Sequence, residues 1–401
     1  MILAAPLPPA AIEQQSGDHA FAAALYRAAA RSEGNVFLSP AGVRLALAMA
    51  AAGALGDTAA EMQSVLQLDK SASKTNAAFH ALLEEWSARG KAQVASDAPA
   101  FERERASREA IQLHVVNRLW GQSGFKFRAP FLETLEKSYH APLEQLDFAE
   151  ALDASVARIN AWVAEQTSNR IQNLIAPGTL KPDARLVLTN AIYFKAAWST
   201  PFNKSATSDA DFHSGATTVR APTMHLTERL SYGETADAKL LELPYGDGSM
   251  SLVLVLPNAV EGLRALEDSL SGAAFAAWLA ALQPARVRVS LPRFKIESSF
   301  SLAEALRSLG MKTAFTSGAA NFSGMDGARD LFLGEVVHKA FVQVDEEGTE
   351  AAAATAVTMR AGAVMREDEP KVFNVDHPFF FFIRDVKSGA VLFAGRILTP
   401  V

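Results

Sequence analysis

Apolar positions along the chain follow helical and strand periods in turn. Within residues 10–31, Phe21, Leu25, Tyr26 and Ala29 share a helical face, and Gly34 closes the helix. Residues 35–38 read as a short strand. Ser39-Pro40 then supplies an N-cap and a proline at the first helical position. The helix that follows is apolar on nearly every side (Val43, Leu45, Leu47, Met49), which predicts burial. Thr58-Ala59-Ala60-Glu61 has the form of a capping box for a helix running through Leu68. Residues 89–109 have no apolar period and mix charges of both signs (Glu102, Arg103, Glu104, Arg105), the pattern of a solvated helix or loop. A strand is predicted over residues 113–120 and a helix over 131–139. Val156, Ile159, Trp162 and Val163 make an amphipathic helix ending near Asn169, and residues 185–198 form a long apolar strand. Beyond Ala221 strands dominate. Residues 240–245 and 249–256 flank the hairpin signal Gly246-Asp247-Gly248. Residues 287–296 read as one strand, 302–309 as a helix closed by Gly310, and 385–396 as a hairpin about Lys387-Ser388-Gly389. No internal repeat, linker or composition break divides the chain.

One stretch combines conflicting signals. After an apolar strand over residues 334–344 comes Asp345-Glu346-Glu347-Gly348-Thr349-Glu350-Ala351-Ala352-Ala353-Ala354-Thr355-Ala356-Val357. Its alanines favour a helix and are poor in a strand. Its parity is nevertheless that of a strand: Thr349, Ala351, Ala353, Thr355, Val357 and Met359 fall on one side, all small or apolar. Such a face can enter a sheet without overpacking the core. Taken alone, the stretch equally fits an Ala-rich linker or a short helix.

Charge and composition narrow the function classes. A net charge of −6 argues against a nucleic-acid binder. The absence of cysteine removes disulfides, thiolate metal sites and thiol nucleophiles. No run of about 18 apolar residues is present to span a membrane. The first ten residues lack a basic segment and are interrupted by Pro6, Pro8 and Pro9, so they do not form a complete signal peptide; residues 1–9 read as a disordered tail. There is no G-x-S-x-G, H-E-x-x-H or phosphate-binding loop. The eight histidines show no metal-ligand spacing; His114, His338 and His377 lie in or beside apolar strands, where a satisfied core imidazole is the common case. No catalytic residue, metal or cofactor is expected.

The string HKAFVQVDEEGTEAAAAT resembles the reactive-loop hinge of a serpin, and FNVDHPFFFFI (residues 373–383) resembles the C-terminal signature of that family. The passages NVFLSP with its buried helix, LGDTAAEM, INAWVAEQTSNRIQNLIAPGTL and RLVLTNAIYFKAAW are similar to the family as well, so the resemblance runs from about Ala10 to Val401. It implies one α+β domain over residues 10–401, with three β-sheets, about eight or nine helices and an exposed reactive-centre loop over about 348–371. One departure is Gly42, where the family usually carries a second serine near the base of the central sheet.

The resemblance also implies a mechanism. A serine protease, or sometimes a cysteine protease, cuts the loop and forms an acyl-enzyme; the cut loop then inserts into the central sheet as a new strand and traps the protease in a covalent 1:1 complex. The hinge would be Glu346, Glu347, Gly348, Thr349, Glu350, Ala351, Ala352, Ala353, Ala354 and Thr355. The point where the central strands separate would hold Ser39, Asn190 and His338, with His338 hydrogen-bonded to Asn190. Arg293 and Glu346 would form an ion pair at the strand end. Family spacing puts the reactive bond at Gly362-Ala363, although the loop looks a few residues long, and Met365-Arg366, Arg360-Ala361 and Arg366-Glu367 remain alternatives. The family also implies a monomer with neither nucleic acid nor membrane as partner, in an extracellular or periplasmic setting, and the Ala-rich, Cys-free composition leans bacterial. Two further readings stand beside this one: a non-inhibitory serpin serving as carrier, chaperone or storage protein, and a hydrolase with a dispersed site.

Overall fold

Ser39 caps the first buried helix as its place before Pro40 predicts: its Oγ accepts from the Gly42 N–H at 3.0 Å. The structure is a computed structural model that describes residues 9–31, 33–89, 111–215, 217–349 and 369–400. The expected disordered tail over residues 1–9 lies outside them except for Pro9, which begins a helix, and so does nearly all of the charged segment 89–109.

Ten α-helices and fifteen strands occur among the described residues. The helices are α1 (Pro9–Ala29), α2 (Pro40–Ala51), α3 (Gly56–Leu66), α4 (Ala72–Arg89), α5 (Ala129–Tyr139), α6 (Leu152–Gln166), α7 (Leu263–Ser269), α8 (Gly272–Ala281), α9 (Ala303–Ser308) and α10 (Ser323–Asp326). The strands are β1 (Val36–Leu38), β2 (Gln112–Gln122), β3 (Glu144–Leu146), β4 (Leu186–Ala197), β5 (Ser208–Ser214), β6 (Thr217–Glu234), β7 (Ala238–Tyr245), β8 (Met250–Pro257), β9 (Gln283–Pro292), β10 (Phe294–Ser301), β11 (Leu333–Val344), β12 (Gly348–Thr349), β13 (Lys371–Asn374), β14 (Phe379–Asp385) and β15 (Val391–Ile397). The helix count exceeds the expected eight or nine because single-turn elements such as α10 are included.

The α+β class is as expected, but three elements differ from the sequence reading. Residues 287–296 form two strands, not one. The chain breaks at Arg293, so β9 pairs with β6 and β13 in one sheet while β10 pairs with β11 in another. Thr58 and Glu61 do not cap their own helix, which begins at Gly56 without a side-chain cap. Thr58 Oγ1 instead accepts from Asn321 N–H at 2.9 Å, and Glu61 Oε2 accepts from the N–H groups of Lys312 and Thr313 at 2.7 Å each. The capping chemistry is used, but across the tertiary fold. Finally, two hydrogen-bonded sheets occur where three were expected. The long β6 pairs with β5 at one end, β7 at the other and β9 along its length, so two of the expected three are one continuous ladder.

That larger sheet has nine strands, ordered β1-β15-β14-β8-β7-β6-β9-β13 with β5 on β6; the other has six, ordered β10-β11-β12-β4-β2-β3. Burial divides the six-stranded sheet along its length. At one end Leu119, Leu186, Leu188 and Val336 pack into the cluster that holds α1 and the largely apolar α2. At the other, Ile192, Phe194, Ala340 and Val342 pack against Leu252, Leu254, Phe379 and Phe381 of the nine-stranded sheet. A third cluster sets Ile159, Trp162 and Val163 of α6 and the segment Ile171–Ile175 over Val116, Trp120, Val187, Ala191 and Val337, so this cover crosses β2, β4 and β11.

Candidate functional site

β4 and β11 carry the residues singled out in the sequence, and their pairing changes partway along. Over eight registered pairs, Leu333↔Leu186 to Phe341↔Tyr193, the two strands run parallel and bond to each other directly. Beyond Tyr193 and Phe341 they part, and β12 lies between them, antiparallel to both: Gly348↔Ala197, Thr349↔Ala196 and Val344↔Thr349. The sheet is therefore closed along one length and wedged open at its end by the first two residues of the small-faced segment.

A chain of hydrogen bonds spans the closed part. Ser39 N–H donates to His338 Nε2 at 2.9 Å, so Nε2 must be the unprotonated nitrogen. The proton is then on Nδ1, which lies 2.6 Å from Asn190 Oδ1 and donates to it. Asn190 Nδ2 in turn donates to Asn117 Oδ1. One direction of donation thus joins the residue before α2 to β11, β4 and β2. Ser39 Oγ adds a bond to the Leu392 carbonyl at 2.6 Å on β15. His338 is completely buried, and burial lowers its pKa to about 3, so the imidazole is neutral. The group Ser39, Asn190 and His338 expected at the strand separation is brought together; Asn117 belongs to it and was not foreseen.

Gly42 is explained by the same group. A Cβ built there would lie 2.8 Å from Asn190 Nδ2 and 3.0 Å from Ser39 Oγ. The Asn190 carboxamide occupies the space a side chain would need, and the hydroxyl of Ser39 serves as the cap without help from residue 42.

The open end is held by a second cluster. Arg293, on the break between β9 and β10, donates through Nε to Glu346 Oε1 at 2.9 Å and through a terminal nitrogen at 2.5 Å. Thr207 Oγ1 donates to the same carboxylate oxygen. Burial alone would push the Glu346 carboxyl up, but the hydrogen bonds from Arg293 and Thr207 outweigh it and hold the group below the usual glutamate range. The expected Arg293–Glu346 pair is formed. It is unequal, since Glu346 is 2 % exposed and Arg293 44 %. Lys204 pairs with Glu347. The backbone is fastened too: Trp198 N–H donates to the Glu347 carbonyl and Phe202 N–H to the Glu346 carbonyl, both at 2.8 Å, and Trp198 Nε1 donates to the Asp345 carbonyl at 2.8 Å.

Thr349 is fully buried, and its hydroxyl lies 2.6 Å from the hydroxyl of Tyr245, which stacks on Trp198 with ring centroids 4.5 Å apart. Gly348 has φ +153°, and a Cβ there would strike the Ala196 carbonyl oxygen and come within 2.7 Å of Ala197 Cα. Only glycine lets the chain turn so closely over β4. Trp198, Phe202 and Thr207 come from the stretch after β4 and Tyr245 from the end of β7; nothing local in the sequence marks them as partners of the hinge.

Glu350, Ala351, Ala352, Ala353, Ala354 and Thr355, and every candidate reactive bond (Gly362-Ala363, Met365-Arg366, Arg360-Ala361, Arg366-Glu367), lie outside the described residues. The chain is described again from Glu369, and β13 joins β9 in parallel over four pairs, Lys371↔Val287 to Asn374↔Ser290. The segment is thus fastened at one end in the six-stranded sheet and at the other in the nine-stranded sheet. Beneath α6, Lys339 of β11 donates to the Gln172 carbonyl at 2.8 Å and pairs with Glu297 of β10 at 2.5 Å. The histidines hold one arrangement that their spacing did not disclose: His80, Glu84 and His140 present their ligand atoms within 4.8 Å of one another.

Residues 16–400 match the family model described as Serpin (serine protease inhibitor). A serpin-like protein of Thermococcus kodakarensis is 39% identical over 377 residues, covering 94% of this chain and 83% of the relative. The leukocyte elastase inhibitor of Xenopus tropicalis is 39% identical over 375 residues, covering 92% and 93%. Among solved structures, Serpin48 of the insect Tenebrio molitor superposes with a TM-score of 0.83 at 35% identity, covering 99% of this chain and 100% of that one.

Proposed function

The chain belongs to the serpin family, and from that premise we propose that it is a suicide inhibitor of proteases, serine proteases foremost, that traps its target by completing the strand of which β12 is the beginning. The observation that carries this reading is the placement of Gly348–Thr349 between β4 and β11, with Thr349 buried and the residues that share its parity in the sequence, Ala351, Ala353 and Thr355, all small.

The target's nucleophile attacks a loop carbonyl, the peptide bond breaks, and the loop on the hinge side is held as an ester (a thioester for a cysteine protease). The new amino terminus takes up a proton and leaves the protease's site, while the C-terminal portion, which carries β13–β15, stays in the nine-stranded sheet until it is denatured. The freed hinge then moves into the seam. Insertion exchanges one parallel ladder between β4 and β11 for two antiparallel ones, because β12 opposes both neighbours. For roughly a dozen inserted residues at about 0.5–1.5 kcal/mol net per hydrogen bond, the gain is on the order of 10 kcal/mol. That is comparable to the stability of a whole domain, so the uninserted state is kinetically trapped. The small inward face matters because bulk or charge there would slow entry while water completes hydrolysis. By family spacing the reactive bond is Gly362-Ala363, a position without a side chain for a specificity pocket to hold; Met365-Arg366 would suit elastase-like, chymotrypsin-like or subtilisin-like enzymes, and Arg360-Ala361 or Arg366-Glu367 trypsin-like ones, the latter disfavoured by the acidic run Glu367-Asp368-Glu369. The inhibitor acts as a monomer, one per protease.

The test is incubation with trypsin, chymotrypsin, elastase and subtilisin followed by denaturing gels. A band near the summed masses that survives denaturant is the expected result, and the mass of the released C-terminal peptide identifies the bond. Clean cleavage without that band against the whole panel would move the reading to a non-inhibitory carrier, chaperone or storage role.

A further inference from the structure

We propose that His80, Glu84 and His140 form a binding site for a zinc-class divalent metal ion, outside the reactive-loop apparatus, that clamps α4 to the end of α5. His80 and Glu84 are one helical turn apart on α4, so their side chains rise on the same face. His140 follows α5 in the left-handed conformation, φ 52°, where its N–H still bonds the Glu136 carbonyl at 3.2 Å. That conformation is costly for most residues and tolerated by Asn, Asp and His, and it turns the His140 ring back toward α4. The ligand atoms of the three residues lie within 4.8 Å of one another. His140 Nε2 and Glu84 Oε1 are 3.0 Å apart, and the two imidazole centroids are 5.4 Å apart. With zinc at about 2.0–2.1 Å from each donor in a tetrahedron, donors stand about 3.3 Å from one another, so small side-chain rotations close the set.

Two observations separate this group from an ordinary surface ion pair. His80 Nδ1 is buried and has no hydrogen-bond partner among the described residues, whereas a buried imidazole nitrogen normally finds one. The other two ligands are accessible: the side chains of Glu84 and His140 are 60 % and 50 % exposed, so an ion can reach the site and keep water in its remaining position. Two imidazoles and one carboxylate are a donor set that zinc accepts, with nickel and copper as chemically plausible competitors. The chain has no cysteine, so no thiolate elsewhere competes for the ion.

Glu84 and His140 also line a cleft of about 780 Å³ with Gln112, His114 and Asn117 of β2. An ion here therefore ties α4 and α5 together beside the strand that ends the Ser39–His338–Asn190–Asn117 chain.

The experiment is titration of chelator-treated full-length protein with zinc chloride by calorimetry, and with cobalt chloride by visible absorption. The expected result is one site with a Kd of about 10 µM or tighter, tetrahedral cobalt bands, and a thermal midpoint that rises with added zinc and falls back with chelator. His80→Gln and His140→Asn, the latter chosen because asparagine tolerates the left-handed position, should each weaken binding at least about tenfold. Both should match the parent's thermal midpoint in chelator, and Glu133→Gln on the exposed face of α5 should bind as the parent does. Absence of saturable binding below about 1 mM, or binding that survives either histidine substitution, overturns the three-ligand assignment.

Discussion

His338 and Asn190 are registered partners across the β4–β11 ladder, and their side chains bond to each other as well, Nδ1 to Oδ1 at 2.6 Å. Backbone and side chain thus close the seam at the same level. Replacing His338 with alanine leaves the Ser39 N–H and Asn190 Oδ1 without their partner in a fully buried core and should lower stability by about 2–4 kcal/mol. A denaturant midpoint unchanged from the parent would contradict this account of the seam.

The neutral imidazole makes the seam pH-sensitive in a definite direction. His338 titrates near pH 3 in the folded protein against an ordinary 6.5. Between those values the unfolded chain binds a proton that the folded one refuses, so stability rises with pH across the window. The contribution is complete above pH 6.5 and is lost as pH falls toward 3, at up to about 1.4 kcal/mol per pH unit. His338→Gln should show a shallower loss of stability between pH 6.5 and 4 than the parent; parallel curves would show that the imidazole is not the cause.

Gly42→Ala sets helix propensity against packing. Alanine is favoured over glycine inside a helix by about 1 kcal/mol. Here its Cβ would come within 2.8 Å of the Asn190 amide, so that side chain must shift and strain its bonds to His338 and Asn117. The expected outcome is a lower thermal midpoint in calorimetry. A more stable variant would mean that Asn190 has room to move.

The Arg293–Glu346 pair should respond unequally to loss of its two members. Arg293→Ala leaves a carboxylate that is 2 % exposed with little beyond Thr207 to satisfy it, and should cost about 2–3 kcal/mol. Glu346→Gln leaves the half-exposed guanidinium to water and should cost about 1 kcal/mol or less. Chemical denaturation of both variants checks the order, and equal costs would count against the buried-carboxylate argument.

Thr349→Arg probes the wedge itself. The new side chain cannot occupy the fully buried site beside Tyr245, so β12 must leave the sheet. The protein should still be cut by proteases while covalent complex falls and the number of inhibitor molecules consumed per protease rises several-fold. An unchanged stoichiometry would sink the insertion model.

These residues differ in how legible they were. The helix α2 was readable because apolar residues on nearly every side leave burial as the only solution, and the parity of Thr349 was readable because a strand has a period of two. The His338–Asn190 contact came from family resemblance; spacing alone gives no register between segments 148 residues apart. The break at Arg293 left only a faint signal, a flip of apolar parity from Val287, Val289 and Leu291 to Phe294 and Ile296; the change of sheet is decided by partners elsewhere. Thr58 and Glu61 misled for a related reason: the capping-box pattern names donors and acceptors but not which helix end they serve. His80 and Glu84 carried a faint signal, a histidine and a glutamate four apart, which becomes a metal-ligand group only when α5 delivers His140.

The two fastened ends of the segment between β12 and β13 give the molecule a topological property. With Thr349 held in one sheet and Lys371 in the other, the chain between them closes a ring through the body of the protein. On the insertion mechanism proposed above, feeding a full strand into the β4–β11 seam from an uncut ring would draw on its far anchorage, and the four parallel pairs of β13 with β9 would act as a latch. Cutting any bond between the anchors turns the ring into two free ends, and the latch no longer matters. In the terms of the proposed mechanism, the protease would supply no energy to the change; it would remove a constraint of connectivity, and the choice of which bond is cut would set how much strand is available to follow Thr349.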